Sequence, residues 1–104
     1  MQQSVLDKIK NAAEEQPENR AVRLGLMVSE ARLSITILCQ FLEVSSNTLY
    51  RWMYGENEPT QAIKSKFDMV YNGIEEGLRL GVFPKKGGSA TYSDLLALIN
   101  KTNE

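Results

Sequence analysis

The side chains able to do chemistry are few. The chain has no histidine and one cysteine, Cys39. This removes a Ser-His-Asp or Cys-His catalytic group, a His-ligated zinc, a cysteine-rich metal site and an internal disulfide. Glu14-Glu15 and Glu75-Glu76 are adjacent carboxylate pairs. Neighbours on a helix point apart, so neither pair shares a site. Lys86-Gly87-Gly88 follows no strand and precedes no glycine-lysine-serine pattern, so it does not read as a phosphate loop. Catalysis is not expected, nor is a cofactor. What stands out instead is a set of hydrogen-bonding side chains in one short stretch: Ser45, Ser46, Asn47, Tyr50, Arg51 and Tyr54. At helical spacing, the last five share the outward side of a helix over residues 46–54.

The elements that must position them read as all-helical. Val5, Leu6, Ile9, Ala12 and Ala13 form one apolar stripe on a helix over residues 4–15. Pro17 suits the first turn of a second helix, and Glu18 favours its dipole. That helix buries Leu24, Met27, Val28 and Ala31 and ends near Leu33. Ser34 and Ser45 are N-caps for two short helices. The first carries Leu38, Cys39, Phe41 and Leu42, and the second Leu49, Trp52 and Met53, ending near Gly55. A long fifth pattern runs from residue 60 to about 80, with Ile63, Phe67, Val70, Tyr71, Ile74 and Leu78 apolar. Gly73 and Gly77 within it signal either close packing or a kinked last turn. Gly81 and Pro84 end it, and Lys85-Lys86-Gly87-Gly88-Ser89 reads as an exposed linker. Ser93 is expected to cap a terminal helix with Leu95, Leu96 and Ile99 on one side. Thr36-Ile37-Leu38 and Val82-Phe83 look strand-like but do not alternate for long enough.

With 104 residues and 42% apolar content, the chain suits one globular domain. The expected division is a main domain over residues 1–83, and a linker with a short helix over 84–104. No run approaches the roughly 20 apolar residues of a membrane span. Met1-Gln2-Gln3-Ser4 lacks the plan of a signal peptide, so a cytoplasmic location is expected. The net charge is −1. Residues 34–59 carry one cation, Arg51, against Glu43, Glu56 and Glu58. A basic footprint of the kind nucleic-acid binders usually show is missing from the composition.

The informative string is LSITILCQFLEVSSNTLYRWMYGENEP, from Leu33 to Pro59. Two serine-capped helices meet through a tight connection, which reads as a helix-turn-helix. Leu38, Leu42, Leu49 and Trp52 can share a small core, Cys39 is small where the axes cross, and Val44 plugs the turn. This stretch resembles the helix-turn-helix family of the lambda-type phage repressors and Cro proteins. The resemblance rests on Ser34, Leu38, Cys39, the Leu42–Val44–Ser45 turn, the Thr48-Leu49-Tyr50-Arg51-Trp52 run and the Gly55-to-Pro59 exit. It covers about residues 17–80. It implies a five-helix domain of the lambda-repressor kind, here extended by helical segments at both ends. Two departures stand within it. Glu43 occupies a turn position where the family has glycine and the backbone is often left-handed, a conformation costing other residues about 1 kcal/mol. Ile35 occupies the place of a phosphate-binding glutamine, leaving Thr36 as the polar residue that can partly substitute.

The resemblance implies that the helix over residues 46–54 enters the major groove of double-stranded DNA. Asn47 then matches the adenine edge and Arg51 the guanine edge. Ser45 and Ser46 suit phosphates, as do Tyr50 and Tyr54, which can also touch thymine methyls. Lys64 and Lys66 stand where they can reach the backbone. A DNA-binding transcriptional regulator, a repressor of phage or prophage type, is the expected function. One such helix reads few base pairs, so a homodimer is expected, with the residue 67–78 stripe or the terminal helix as candidate surfaces, or with the N-terminal helix exchanged or packed across the partner. The competing expectation is a protein-interaction module on the same fold, namely an antirepressor, an inhibitor or a phage assembly or packaging factor. The net charge of −1, the acids of the motif and Ile35 and Ile37 favour that alternative.

Overall fold

Apolar residues spaced three and four apart fold the chain into six helices, with no strand among the described residues. The computed structural model describes residues 1–102; Asn103 and Glu104, the end of the 84–104 segment, lie outside the described residues. The helices are α1 (Gln3–Glu15), α2 (Arg20–Ala31), α3 (Ile35–Leu42), α4 (Ser46–Met53), α5 (Gln61–Leu80) and α6 (Tyr92–Thr102).

Local chemistry sets the boundaries. α2 begins at Arg20, later than Pro17 suggests, because the Asn19 side chain accepts the Ala21 and Val22 N–H groups at 2.9 and 3.4 Å. Such a cap satisfies donors that the first helical turn leaves without partners. Ser34 and Ser45 cap α3 and α4 as expected, accepting from the N–H groups of Thr36 and Thr48. α6 starts at Tyr92 rather than after Ser93. Thr91 Oγ1 accepts from the Asp94 N–H at 3.2 Å, and the Asp94 carboxylate accepts from the Thr91 N–H at 2.9 Å. That reciprocal pair closes the helix start, and Lys85 donates to the same carboxylate at 3.0 Å. The Thr91 N–H first, and then Lys85, hold the Asp94 carboxyl below its ordinary range.

One apolar cluster joins all six helices. α5 is its spine, packing most extensively against α6 and also against α2 and α3. Phe67, Val70, Tyr71 and Ile74 of α5 are buried, as are Leu95, Leu98 and Ile99 of α6. Gly73 and Gly77 let this happen. A Cβ on Gly73 would lie 2.9 Å from Ile99 Cγ1, and one on Gly77 would lie 2.5 Å from the Phe83 ring. Close packing therefore accounts for both glycines. α1 packs chiefly on α2. Its Ile9 is fully buried against Gly25, where a Cβ would come within 3.1 Å of both Ile9 and Met53 of α4. α1 is thus seated where α2 and α4 meet. No helix among the described residues is long and apolar enough to cross a membrane.

Candidate functional site

α3 and α4 are joined only by Glu43, Val44 and Ser45. Glu43 is left-handed, with φ 57° and ψ 44°, and the Val44 N–H reaches back to the Cys39 carbonyl at 3.2 Å. That bond from beyond the helix end to its last turn is what a left-handed cap provides. The position therefore has the left-handed backbone that glycine adopts most readily, held here by a glutamate. Lys66 of α5 donates to Glu43 Oε2 at 2.7 Å. This hydrogen bond and the ammonium charge hold the Glu43 carboxyl below its ordinary range.

α4 is divided lengthwise. Leu49, Trp52 and Met53 are buried, with the Trp52 indole edge-on to the Phe67 ring at 6.4 Å. On the other side Ser46, Asn47 and Arg51 are exposed. Asn47 and Arg51 are four residues apart and so lie one above the other. Among the described residues neither side chain makes a hydrogen bond, and Arg51 makes no ion pair. Glu43 is taken by Lys66, so it does not neutralise Arg51.

Tyr50 and Tyr54 form a second column beside the first. They are half-buried and stacked, with centroids 5.9 Å apart and planes 22° from parallel. What half-covers them is α1. The Lys8 ammonium lies 4.7 Å from the centre of the Tyr54 ring. Met1 and Val5 share an open cleft with Ile35, Thr36 and Tyr50. Further along, Gln16 Nε2 donates to the Gly55 carbonyl at 3.3 Å. α1 therefore lies beside the C-terminal part of α4, between Tyr50 and Gly55.

The other site residues fall as follows. Thr36 is exposed at the start of α3 and faces the same cleft as Tyr50. Ser45 is exposed, but its hydroxyl is engaged, accepting from the Thr48 N–H at 3.1 Å and donating to Thr48 Oγ1 at 3.0 Å. Lys64 is exposed, whereas Lys66 is tied to Glu43. Cys39 is half-buried, and burial pushes its thiol up. Sequence reasoning did not single out Lys8. Its position beside Tyr54 depends on how α1 docks, and no spacing within residues 1–15 encodes that.

This face offers hydrogen-bonding and charged groups to solvent. It combines one amide, one guanidinium, two phenols and a neighbouring ammonium, with no paired acid and base. Exposed Glu56 and Glu58 border the far end of α4. Comparison with family models, with curated proteins and with solved structures gives no match to this chain.

Proposed function

We propose that the chain is a sequence-specific double-stranded-DNA-binding regulator, a repressor of phage or prophage type, with α2 to α5, four helices where five were expected, as a lambda-repressor-like unit and α1 and α6 as additions. The observation that carries this reading is the outer column of α4. Asn47 and Arg51 are exposed and lie four residues apart on one side of the helix, and among the described residues their side chains make no hydrogen bond or ion pair. An Asn amide pairs with adenine N6/N7 and an Arg fork with guanine O6/N7, each discriminating by about 1–3 kcal/mol. Ser46 and the N-terminal amides of α4, together with Thr36, Tyr50 and Tyr54, take phosphate and methyl contacts around them. Ser45 contributes its backbone and holds the helix start.

Two copies belong to this reading, because paired half-sites about 34 Å apart present successive major grooves. Of the stripes that sequence offered for pairing, Phe67, Tyr71 and Ile74 on α5 and Leu95 and Ile99 on α6 are buried inside the chain, while Leu78 and Leu96 are half-buried. Leu80 and Val82, exposed at the end of α5 near half-buried Leu78, offer apolar surface to a second copy. The test is selection from a random-duplex pool followed by sequencing of what is retained. An enriched palindromic motif is expected. Retention without enrichment would contradict sequence-specific reading.

The protein-interaction alternative draws on a different observation. Glu56 and Glu58 stand exposed beside the α4 end, and the Tyr50–Tyr54 stack is partly open. Exposed tyrosines are frequent anchors in protein interfaces. A partner bound this way would be held with little dependence on salt, whereas phosphate binding weakens steeply as salt rises.

A further inference from the structure

The segment 34–59 brings one cation, Arg51, to the face that the proposed function sets against DNA. A second cation reaches that face from outside the segment. Lys8 of α1 has its ammonium 4.7 Å from the Tyr54 ring centre, and Tyr54 stacks on Tyr50. Among the described residues no carboxylate lies within 4.0 Å of Lys8. The nearest acid in sequence, Asp7, accepts a hydrogen bond from Gln3 at 2.9 Å. Among the described residues the charge on Lys8 is therefore not paired with a carboxylate. It is held at the flank of α4 by a ring that carries no opposing charge. Ser4 and Asn11, four before and three after Lys8, lie on the same side of α1 and are exposed.

We infer that α1 is a second DNA-contacting element, in which Lys8 binds a backbone phosphate on the strand flanking the groove that α4 enters, with Ser4 and Asn11 as neighbouring donors. The inference rests on the DNA-binding reading above and assigns a role to a helix outside the resemblance. A helix lying in the major groove has a sugar-phosphate strand on either side, and α1 brings Lys8 to one side of α4 at Tyr54. Lys8 carries no base information. It contributes affinity and positions α4.

The test compares the full chain with Lys8→Gln, Lys8→Arg and Lys10→Gln, on the duplex selected by the wild type and on a random duplex. Lys10 is the control, an exposed cation two residues along and so on another side of α1. For Lys8→Gln we expect equal weakening on both duplexes, and a slope of log affinity against log salt that is shallower by about 1. Lys8→Arg should restore the slope, and Lys10→Gln should leave it unchanged. Thermal unfolding of Lys8→Gln should match the wild type, which separates contact from folding. If the wild type selects a duplex but Lys8→Gln keeps the full slope, the role of α1 is overturned and the DNA reading stands. If Lys10→Gln lowers the slope as much as Lys8→Gln, net charge alone is at work, and the assignment of Lys8 is overturned. If the wild type holds no duplex, both fall together.

Discussion

Ser45 links folding to recognition at the scale of one residue. Its hydroxyl caps α4 through the Thr48 N–H and also reaches Thr48 Oγ1. Ser45→Ala should cost about 1 kcal/mol, the usual loss of an N-cap, read from the urea midpoint. An unchanged midpoint would mean that the cap contributes nothing. The same variant frays the turn that carries Ser46 and Asn47, so DNA affinity should fall with stability. Much at this scale was legible. The two serine caps, the inward Leu49 and Trp52 and the outward Asn47 and Arg51 follow from residue type and spacing of three and four. The left-handed backbone at Glu43 also lay where the resemblance put it. Its partner Lys66 was not legible. The two are 23 residues apart, and only the packing of α3 on α5 brings them together.

At the scale of elements, α5 shows how a poor helix former can be the stabilising choice. Gly77→Ala improves intrinsic helix propensity by about 1 kcal/mol. It also drives a methyl into the Phe83 ring, where the unrelaxed separation is 2.5 Å. Overpacking of this kind costs about 1–3 kcal/mol, so the variant should be neutral to destabilised despite its propensity. A clear rise in melting temperature would show that Phe83 moves aside freely. The sequence narrowed Gly77 to close packing or a kink, and could go no further, because Phe83 approaches only after the chain turns at Gly81. Helix ends were missed where two caps competed. Asn19 prevails over Pro17, since it satisfies two N–H groups, and Thr91 prevails over Ser93 because Asp94 completes the reciprocal pair.

At the scale of the molecule, α6 completes a core that α5 cannot close alone. Leu95, Leu98 and Ile99 are buried against it. Burying each such side chain contributes about 1.5–3 kcal/mol, against a total stability of about 5–15 kcal/mol for a typical domain. A chain ending at residue 83 should therefore lose its sharp urea transition, followed by fluorescence of the buried Trp52. A preserved transition would mean that α6 is dispensable. The docking of α1 and α6 was the least legible part of the fold, because an apolar stripe says that a helix is covered but not by what. The same limit hid Lys8 beside Tyr54. The central claim is that the outer column of α4 reads bases, and Arg51→Ala tests it most directly. Fluorescence anisotropy with the selected duplex and with a random one should show affinity for the selected duplex falling on the order of tenfold to a hundredfold, matching about 1–3 kcal/mol for one bidentate contact, with a much smaller loss on the random duplex. Equal losses on both would contradict base reading by Arg51.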